Sequence, residues 1–309
     1  MVKYILSRLL QTVVVLLGVV LITVVLSRES GSAVRSLIGA GPHATEEVVR
    51  EQEEKFGLDK PVYEQYFIYL GQVVQGEFGR SLVSGRPVLD LFWERLQITL
   101  KLAAVAVPII VIGGVTLGTL AAWRRGSPID IGIRLFAGMS QAAPAFWVGV
   151  LFIFIFGVEL GWAPFGGDRG LSFVWLPGVV VALFPLAGVT RITRTAVLST
   201  LSQQYITVAR AKGLSEPAVF VGHALRTALL PIVTYIGIVL VSSVLLGAVA
   251  VEVVFGWPGI GLRAYQAVND RDLWVLQGFF LLFGGIYAFA NLIIDISYAY
   301  IDPRIRLGE

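Results

Sequence analysis

His43 and His223 are the only histidines among 309 residues, and the chain has no cysteine. Without cysteine there are no disulfides, thiolate metal sites or cysteine nucleophiles. The membrane assignments below put His43 outside and His223 inside, so the two cannot share one site. None of the spacings HExxH, GxSxG or GxxxxGK[ST] occurs. The usual zinc-protease, nucleophile-elbow and phosphate-cradling arrangements are therefore missing.

Other chemistry-bearing residues are few. Gly166-Gly167-Asp168 has the residue types of an intramembrane aspartyl protease, but it falls in a predicted loop, where Gly-Gly-Asp reads as a turn. An ionisable residue inside a span is a functional candidate because burying its charge in hydrocarbon is costly. Asp295, with Asn291 one turn earlier, comes nearest, at the inner end of the last span. It is expected either to pair with Arg191 or Arg194 or to act directly in transport. Ser140, Gln141, Ser242 and Ser243 are polar residues within spans, suited either to lining a path for a polar solute or to bonding between helices. The spans hold few midplane charges, which argues against an ion-coupled carrier.

The elements that must position these residues are membrane helices. Hydrophobic residues make up 56% of the chain and charged residues 15%, well below the roughly one quarter of soluble domains. Six apolar stretches reach the length needed to cross a bilayer, at about 9–26, 98–123, 133–156, 174–195, 229–251 and 275–299. Lys3 and Arg8 precede the first as they would in a signal peptide, but its apolar core is longer, so it reads as a retained transmembrane helix. The net charge of +3 follows the spans, with no basic patch interleaved with aromatics, so nucleic acid is not indicated as a partner.

Basic residues set the orientation. Arg124, Arg125 and Arg134 follow the second span. Arg191, Arg194, Arg210, Lys212 and Arg226 lie in or beside the connection between the fourth and fifth, and Arg304 and Arg306 lie in the tail. The remaining short loops hold only Arg169, or Arg263 and Arg271. Placing the rich loops in the cytoplasm puts both termini inside. The division expected is an N-terminal helix at 1–27, a small extracytoplasmic subdomain at 28–97, a five-helix core at 98–300 and a cytoplasmic tail at 301–309. Within the subdomain, residues 44–55 read as a solvated acidic helix capped by Thr45.

One cytoplasmic stretch is longer than a connector requires: "QYITVARAKGLSEPAVFVGHALRTALLP" at 204–231, within a loop of about 199–230. Residues 204–212 favour helix, and Gly213 is a natural stop. Ser215 is expected to cap a second helix that takes Glu216 and Pro217 in its first turn. Pro231 is expected to kink the chain where the fifth span begins. The product is a helix, a glycine turn and a helix lying across the inner face. Such a corner fits either an ordinary lipid-anchored surface helix or a groove on a cytoplasmic partner.

The stretch "YITVARAKGLSEPAVFVGHALRTALLP" resembles the cytoplasmic loop of ABC-transporter permeases, in the form found in the DppB-like permeases of the dipeptide, oligopeptide and nickel importer family. Ala209, Ala211, Gly213, Leu230 and Pro231 match. Thr207-Val208-Ala209 stand where the general importer signature begins Glu-Ala-Ala. The resemblance continues in "KYILSRLLQTVVVLLGVVLITVVL", in "FGLDKPVYEQYFIYLGQVVQGEFGRSLVSGRPVLDLFWERLQITLKLA", in "VEVVFGWPGIG" and "NDRDLWVLQG", and in "LIIDISYAYIDPRIRLG".

This resemblance implies an all-α polytopic protein with six transmembrane helices and the type I ABC importer permease fold, in the inner (plasma) membrane of a prokaryote. The implied partners are a second homologous permease subunit, two ABC ATPase subunits and an extracytoplasmic solute-binding protein. ATP and Mg would sit on the ATPases; this chain would bind no cofactor or metal. Ala209, Arg210, Ala211, Lys212, Gly213, Leu214, Ser215 and Glu216 would couple to an ATPase. In the loop after the fifth span, "FGWPGIG" reads as a turn with exposed aromatics. Phe255, Trp257, Pro258, Asp270 and Arg271 are candidates for a gate or a binding-protein contact, with an interfacial aromatic anchor the plainer reading. Peptides are the expected solute and a nickel chelate the alternative.

Overall fold

The computed structural model describes residues 2–29, 60–81, 83–164, 166–240, 245–270 and 272–301, with residues 47, 50 and 54. Among these the secondary structure is helical; one isolated bridge, between Arg80 and Pro87, closes a turn. In chain order the helices are α1 Val2–Glu29, α2 Val62–Val74, α3 Val88–Trp123, α4 Pro128–Ala142, α5 Ala145–Glu159, α6 Leu171–Leu201, α7 Gln204–Ala211, α8 Glu216–Val239, α9 Leu245–Phe255, α10 Ile260–Asn269 and α11 Leu273–Ile301. They fall into two compact units, one drawn from Met1–Thr99 and Pro258–Ile296, the other from Leu100–Trp257 and Ser297–Glu309.

In the first unit, α2 lies along α1, with the Tyr66 hydroxyl 3.5 Å from the Leu17 carbonyl. Val20, Tyr69, Val88, Phe92, Trp274 and Phe279 belong to its apolar core. Phe92 and Phe279 meet edge to face, their centroids 5.3 Å apart. A polar cluster lies beside them. Asp272 is fully buried and accepts from the Ser81 hydroxyl at 2.5 Å and from Arg263 Nη2 at 3.1 Å. A buried carboxylate is tolerated when such donors meet it.

The second unit is built around α6, whose apolar stretch is largely buried by its neighbours. The Gly114 to Gly118 face of α3 meets it. A Cβ at Gly114 would lie 2.6 Å from Val189 Cγ1, and one at Gly118 would lie 2.5 Å from both the Thr190 carbonyl oxygen and Thr193 Cβ. Small residues four apart let helix backbones approach this closely in a membrane, where apolar burial gives no drive between helices. Immediately before this face, α3 widens to a π-helical turn over Ile109–Gly113. Pro108 precedes that turn; proline lacks an N–H and crowds the preceding turn, and such local widening accommodates it.

Among the described residues four helices are long and apolar enough to cross a membrane, or five if α4 and α5 together form one span; α1 contributes the shorter apolar stretch Leu6–Ile22. The single third span expected at 133–156 is not continuous. It breaks before Pro144, where Ala143 is extended at ψ 131°, and α4 and α5 meet at a bend of 107°. A residue preceding proline is pushed out of the helical region, and Pro144 does this in mid-span. The second span begins earlier than 98, because α3 extends back to Val88. The fifth differs most. Pro231 lies within α8, which runs unbroken from Glu216, so the second surface helix and the start of the span are one element.

Of the acidic helix expected at 44–55, residues 47, 50 and 54 are described and helical, with Arg50 Nε 2.9 Å from Glu54 Oε1; Thr45 lies outside the described residues. Ser242, Ser243, Arg271 and the 302–309 part of the tail also lie outside the described residues, as does the side chain of Asp295.

Replacing Gly118 with valine drives side-chain atoms into the Thr190 backbone. It is expected to destabilise the protein by about 1–3 kcal/mol, the typical cost of overpacking. An added Cβ at Gly132 meets nothing within 4 Å, so Gly132→Ala is expected to be neutral. Thermal unfolding in detergent checks the pair; equal midpoints would contradict this account of the α3 and α6 contact.

Candidate functional site

The corner between α7 and α8 follows from local rules. α7 ends in paired reverse hydrogen bonds: the Gly213 amide donates to the Arg210 carbonyl at 2.9 Å and the Leu214 amide to the Ala209 carbonyl at 3.4 Å. This Schellman closure requires a left-handed residue, and Gly213 supplies it at φ 81°. An added Cβ there would meet nothing within 4 Å, so backbone conformation, not space, selects glycine. Ser215 occupies the N-cap position of α8, as expected, but its side chain makes no cap hydrogen bond; Pro217 pre-sets the first turn. The corner is tied instead by Arg210, whose Nε and Nη2 donate to the two Glu216 oxygens at 2.8 and 3.1 Å. That hydrogen bonding pushes the exposed Arg210 guanidinium further above its ordinary range.

Helical spacing divides the corner into two faces. Ile206, Ala209, Val219 and Ala224 are buried together against Leu201. Ala209, expected at a partner surface, therefore packs inside its own unit, three residues from Ile206 on the same face. Arg210, Ala211, Lys212, Gly213, Leu214, Ser215 and Glu216 are exposed. So are the apolar side chains of Tyr205, Val208 and Leu214, although apolar residues on a soluble surface are usually scattered singly.

The turn that follows α3 is fixed on the same unit. Gly126 is left-handed, Ser127 caps α4 by accepting from the Asp130 amide at 3.3 Å, and Pro128 takes the first helical position. The buried Asp130 carboxylate receives Arg194 Nε at 2.7 Å and Nη2 at 2.9 Å, and the Gly126 amide at 3.0 Å. Arg194, one of the two arginines considered as a partner for Asp295, is thus engaged by Asp130. The capping pattern Ser127-Pro128-Ile129-Asp130 was the signal for this anchor.

The loop after α9 also differs from expectation. Phe255 and Trp257 are 3% and 1% exposed, so they are packed side chains and not exposed aromatics. The glycine at Gly149 makes room for Phe255, 3.2 Å from where a Cβ would sit, and the Gly167 amide donates to the Phe255 carbonyl at 3.3 Å. The Trp257 amide donates to the carbonyl of Glu252, a buried residue that sequence reading left outside its fifth span. In the other unit, Pro258 accepts from Arg95 Nη1 at 3.0 Å and the Ile260 amide donates to Thr99 Oγ1 at 3.0 Å. Asp270 is half-exposed, its Oδ2 3.6 Å from Arg263 Nη1. Ser140 and Gln141 are half-buried at the end of α4, just before the break. Gly166 and Gly167 take left-handed turn conformations, and Asp168 pairs with Lys101.

Gly213→Val forces a β-branched residue into the left-handed region at a cost of roughly 1–3 kcal/mol, whereas asparagine tolerates that region. Gly213→Val should therefore open the corner to trypsin at Arg210 and Lys212, and Gly213→Asn should not. Equal cleavage rates in proteoliposomes would remove the conformational argument.

Comparison with known proteins agrees with this architecture. Residues 1–103 match the family described as "Binding-prot-dependent transport system membrane comp, N-term", and residues 114–307 match "Binding-protein-dependent transport system inner membrane component". The chain is 37% identical to the oligopeptide transport system permease protein AppB of Bacillus subtilis (strain 168), over 99% of this chain and 100% of that one. It is 38% identical to the glutathione transport system permease protein GsiC of Escherichia coli (strain K12), over 99% of each. It is 31% identical to the dipeptide transport system permease protein DppB of Alkalihalophilus pseudofirmus, over 99% and 100%. The crystal structure of an amino acid ABC transporter with histidines shares the fold, with a TM-score of 0.53 and 18% identity over 70% of this chain and 94% of that one. Two family matches and end-to-end relatives, on a chain of apolar spanning helices, establish it as a multi-pass membrane protein that belongs to the inner membrane components of binding-protein-dependent transport systems, a permease subunit and not an enzyme.

Proposed function

We propose that this chain forms half of the pore of an ATP-driven importer for peptides, and that the α7 and α8 corner is the part an ATPase moves. One observation carries the coupling reading. The exposed corner continues without a break, through α8, into an apolar helix long enough to enter the membrane. A force applied at Leu214 reaches the pore along one hydrogen-bonded rod, and the exposed face of Tyr205, Val208, Ala211 and Leu214 offers the apolar contact a docking site needs.

In this reading the partners are a second homologous permease, two ABC ATPases that carry ATP and Mg, and a solute-binding protein on the outer face. The membrane is crossed six times, counting α1 and the bent α4 and α5 pair, with both termini cytoplasmic and a small extracytoplasmic subdomain between the first two spans. Relatives named for oligopeptides, dipeptides and glutathione favour a peptide solute over a nickel chelate. Ser140 and Gln141, at the break before Pro144, and Ser242 and Ser243 remain the candidates to face that solute. The buried Phe255 and Trp257 would set the shape of a gate, leaving Pro258, Asp270 and Arg271 for outer contacts. Family membership removes the support for an ion-coupled carrier or an intramembrane enzyme.

Purification from native membranes in gentle detergent is expected to recover a second permease and ATPase subunits with this chain. Ala211→Glu puts a charge on the exposed face without touching the buried one, and should lower ATPase recovery on the order of tenfold or more, as an unmatched interfacial charge does. Full recovery with that variant would move the docking surface elsewhere. Recovery of this chain alone after cross-linking would contradict ATP coupling.

A further inference from the structure

Two cavities flank the corner and share a wall. One, of about 590 Å³, is lined by Arg124, Arg125, Arg210, Glu216 and Ser202 among others. The other, of about 500 Å³, is almost wholly apolar and is lined by Val115, Thr119, Leu120, Val221 and Leu225 among others. Trp123 and Phe220 line both, their rings edge to face with centroids 4.7 Å apart.

The charges in the first cavity do not cancel. Arg210 and Glu216 neutralise one another, whereas Arg124 and Arg125 have no side-chain partner among the described residues. Asp130, on the next helix, is occupied by Arg194 and the Gly126 amide. Two guanidinium groups therefore offer their donors to whatever enters, and a basic pocket at the end of membrane helices suits an anionic headgroup. The apolar cavity has an odd group of its own. The Thr119 hydroxyl oxygen is buried and without a hydrogen-bond partner, as is that of Thr193 on α6, whereas Thr190, Thr195 and Thr200 each donate to the carbonyl four residues back. Thr119 lies five residues before Arg124 on a helix, about 7.5 Å along the axis. Trp123 stands between them at the end of an apolar run, the usual depth of the membrane interface.

We propose that the paired cavities hold one anionic phospholipid, with its phosphate on Arg124 and Arg125, a glycerol ester oxygen at the Thr119 hydroxyl and an acyl chain along Val115, Leu120 and Leu225. A soluble phosphate leaves the apolar cavity unfilled, and a zwitterionic lipid has its own cation beside the arginines. This rests on the cytoplasmic placement of the corner proposed above. Arg210 and Glu216 line the headgroup cavity and also tie the corner, so the lipid would touch the segment assigned to ATPase coupling.

The test uses the complete transporter in nanodiscs of phosphatidylcholine containing a fraction of phosphatidylglycerol, with bound lipids and ATPase subunits counted by native mass spectrometry. Wild type should retain phosphatidylglycerol. Arg124→Gln with Arg125→Gln should lower that retention by about tenfold or more, as loss of two basic contacts implies. The paired Arg→Lys variants should keep it, and Leu120→Trp, which fills the chain cavity, should also lose it. Equal retention in wild type and the paired glutamine variant overturns the proposal. So does displacement by inorganic phosphate, which would make this a free-anion site, and so does lipid bound to the isolated chain but absent from the assembly, which would give the cavity to the ATPase. Lipid loss with a full ATPase complement separates this proposal from the coupling reading, which depends on the ATPase count alone.

Discussion

The contact of Gly118 with the backbone of α6 sets the spacing on which the second unit depends. Helices in hydrocarbon gain little by hiding apolar surface from lipid, so they associate where backbones approach and dispersion contacts accumulate. Gly114 and Gly118 lie against Val189, Thr190 and Thr193, Gly178 lies against Val105, and Gly188 against Tyr235. α6 is thereby enclosed from several sides. Its C-terminal end then offers Arg194 to Asp130, which fixes the turn after α3, and Leu201 to the buried face of the corner. The corner and the turn after α3 take their positions from contacts made along α6.

The corner combines two requirements that usually compete. The proposed coupling role needs it exposed to a partner and also held rigidly. Rigidity comes from the Schellman closure, the Arg210 to Glu216 pair and the buried face of Ile206, Ala209, Val219 and Ala224. In the proposed role, transmission would come from the continuity of α8. A flexible linker between surface helix and span would absorb a push; a single helix rotates or tilts as a unit. The π-helical turn over Phe220–Leu225 lies within this rod, close to where it leaves the surface. Such turns are a local adjustment in an otherwise continuous hydrogen-bond ladder.

Sequence reading recovered what hydropathy and turn chemistry encode locally. Four of the six apolar stretches, the glycine stop at Gly213 and the helix start beside Ser215 follow from residues close together in sequence. What it missed depended on partners distant in sequence. Ala209 is an excellent helix former, and only the packing of Ile206 shows that it faces inward. Phe255 and Trp257 looked like exposed aromatics because nothing local marks Gly149 as the place where Phe255 packs. Arg194 could have met several acids, and Asp130 was selected by the fold. Pro144 reads in the sequence as a place for a kink within the third span, and the break found there is sharper than a kink, at 107°. The helix start at Ser127-Pro128-Ile129-Asp130 was legible in principle, but a basic loop hid it.

The central claim, that α7, the Gly213 corner and α8 move as one body, can be measured directly. The chain has no cysteine, so spin labels introduced at Val208 and Ile238, both exposed, report a single pair. Pulsed electron resonance on the assembled transporter in nanodiscs should give one narrow distance, unchanged between the nucleotide-free and ATP-bound states. A distance that broadens or shifts with ATP would show that the corner bends under load, and would contradict the account.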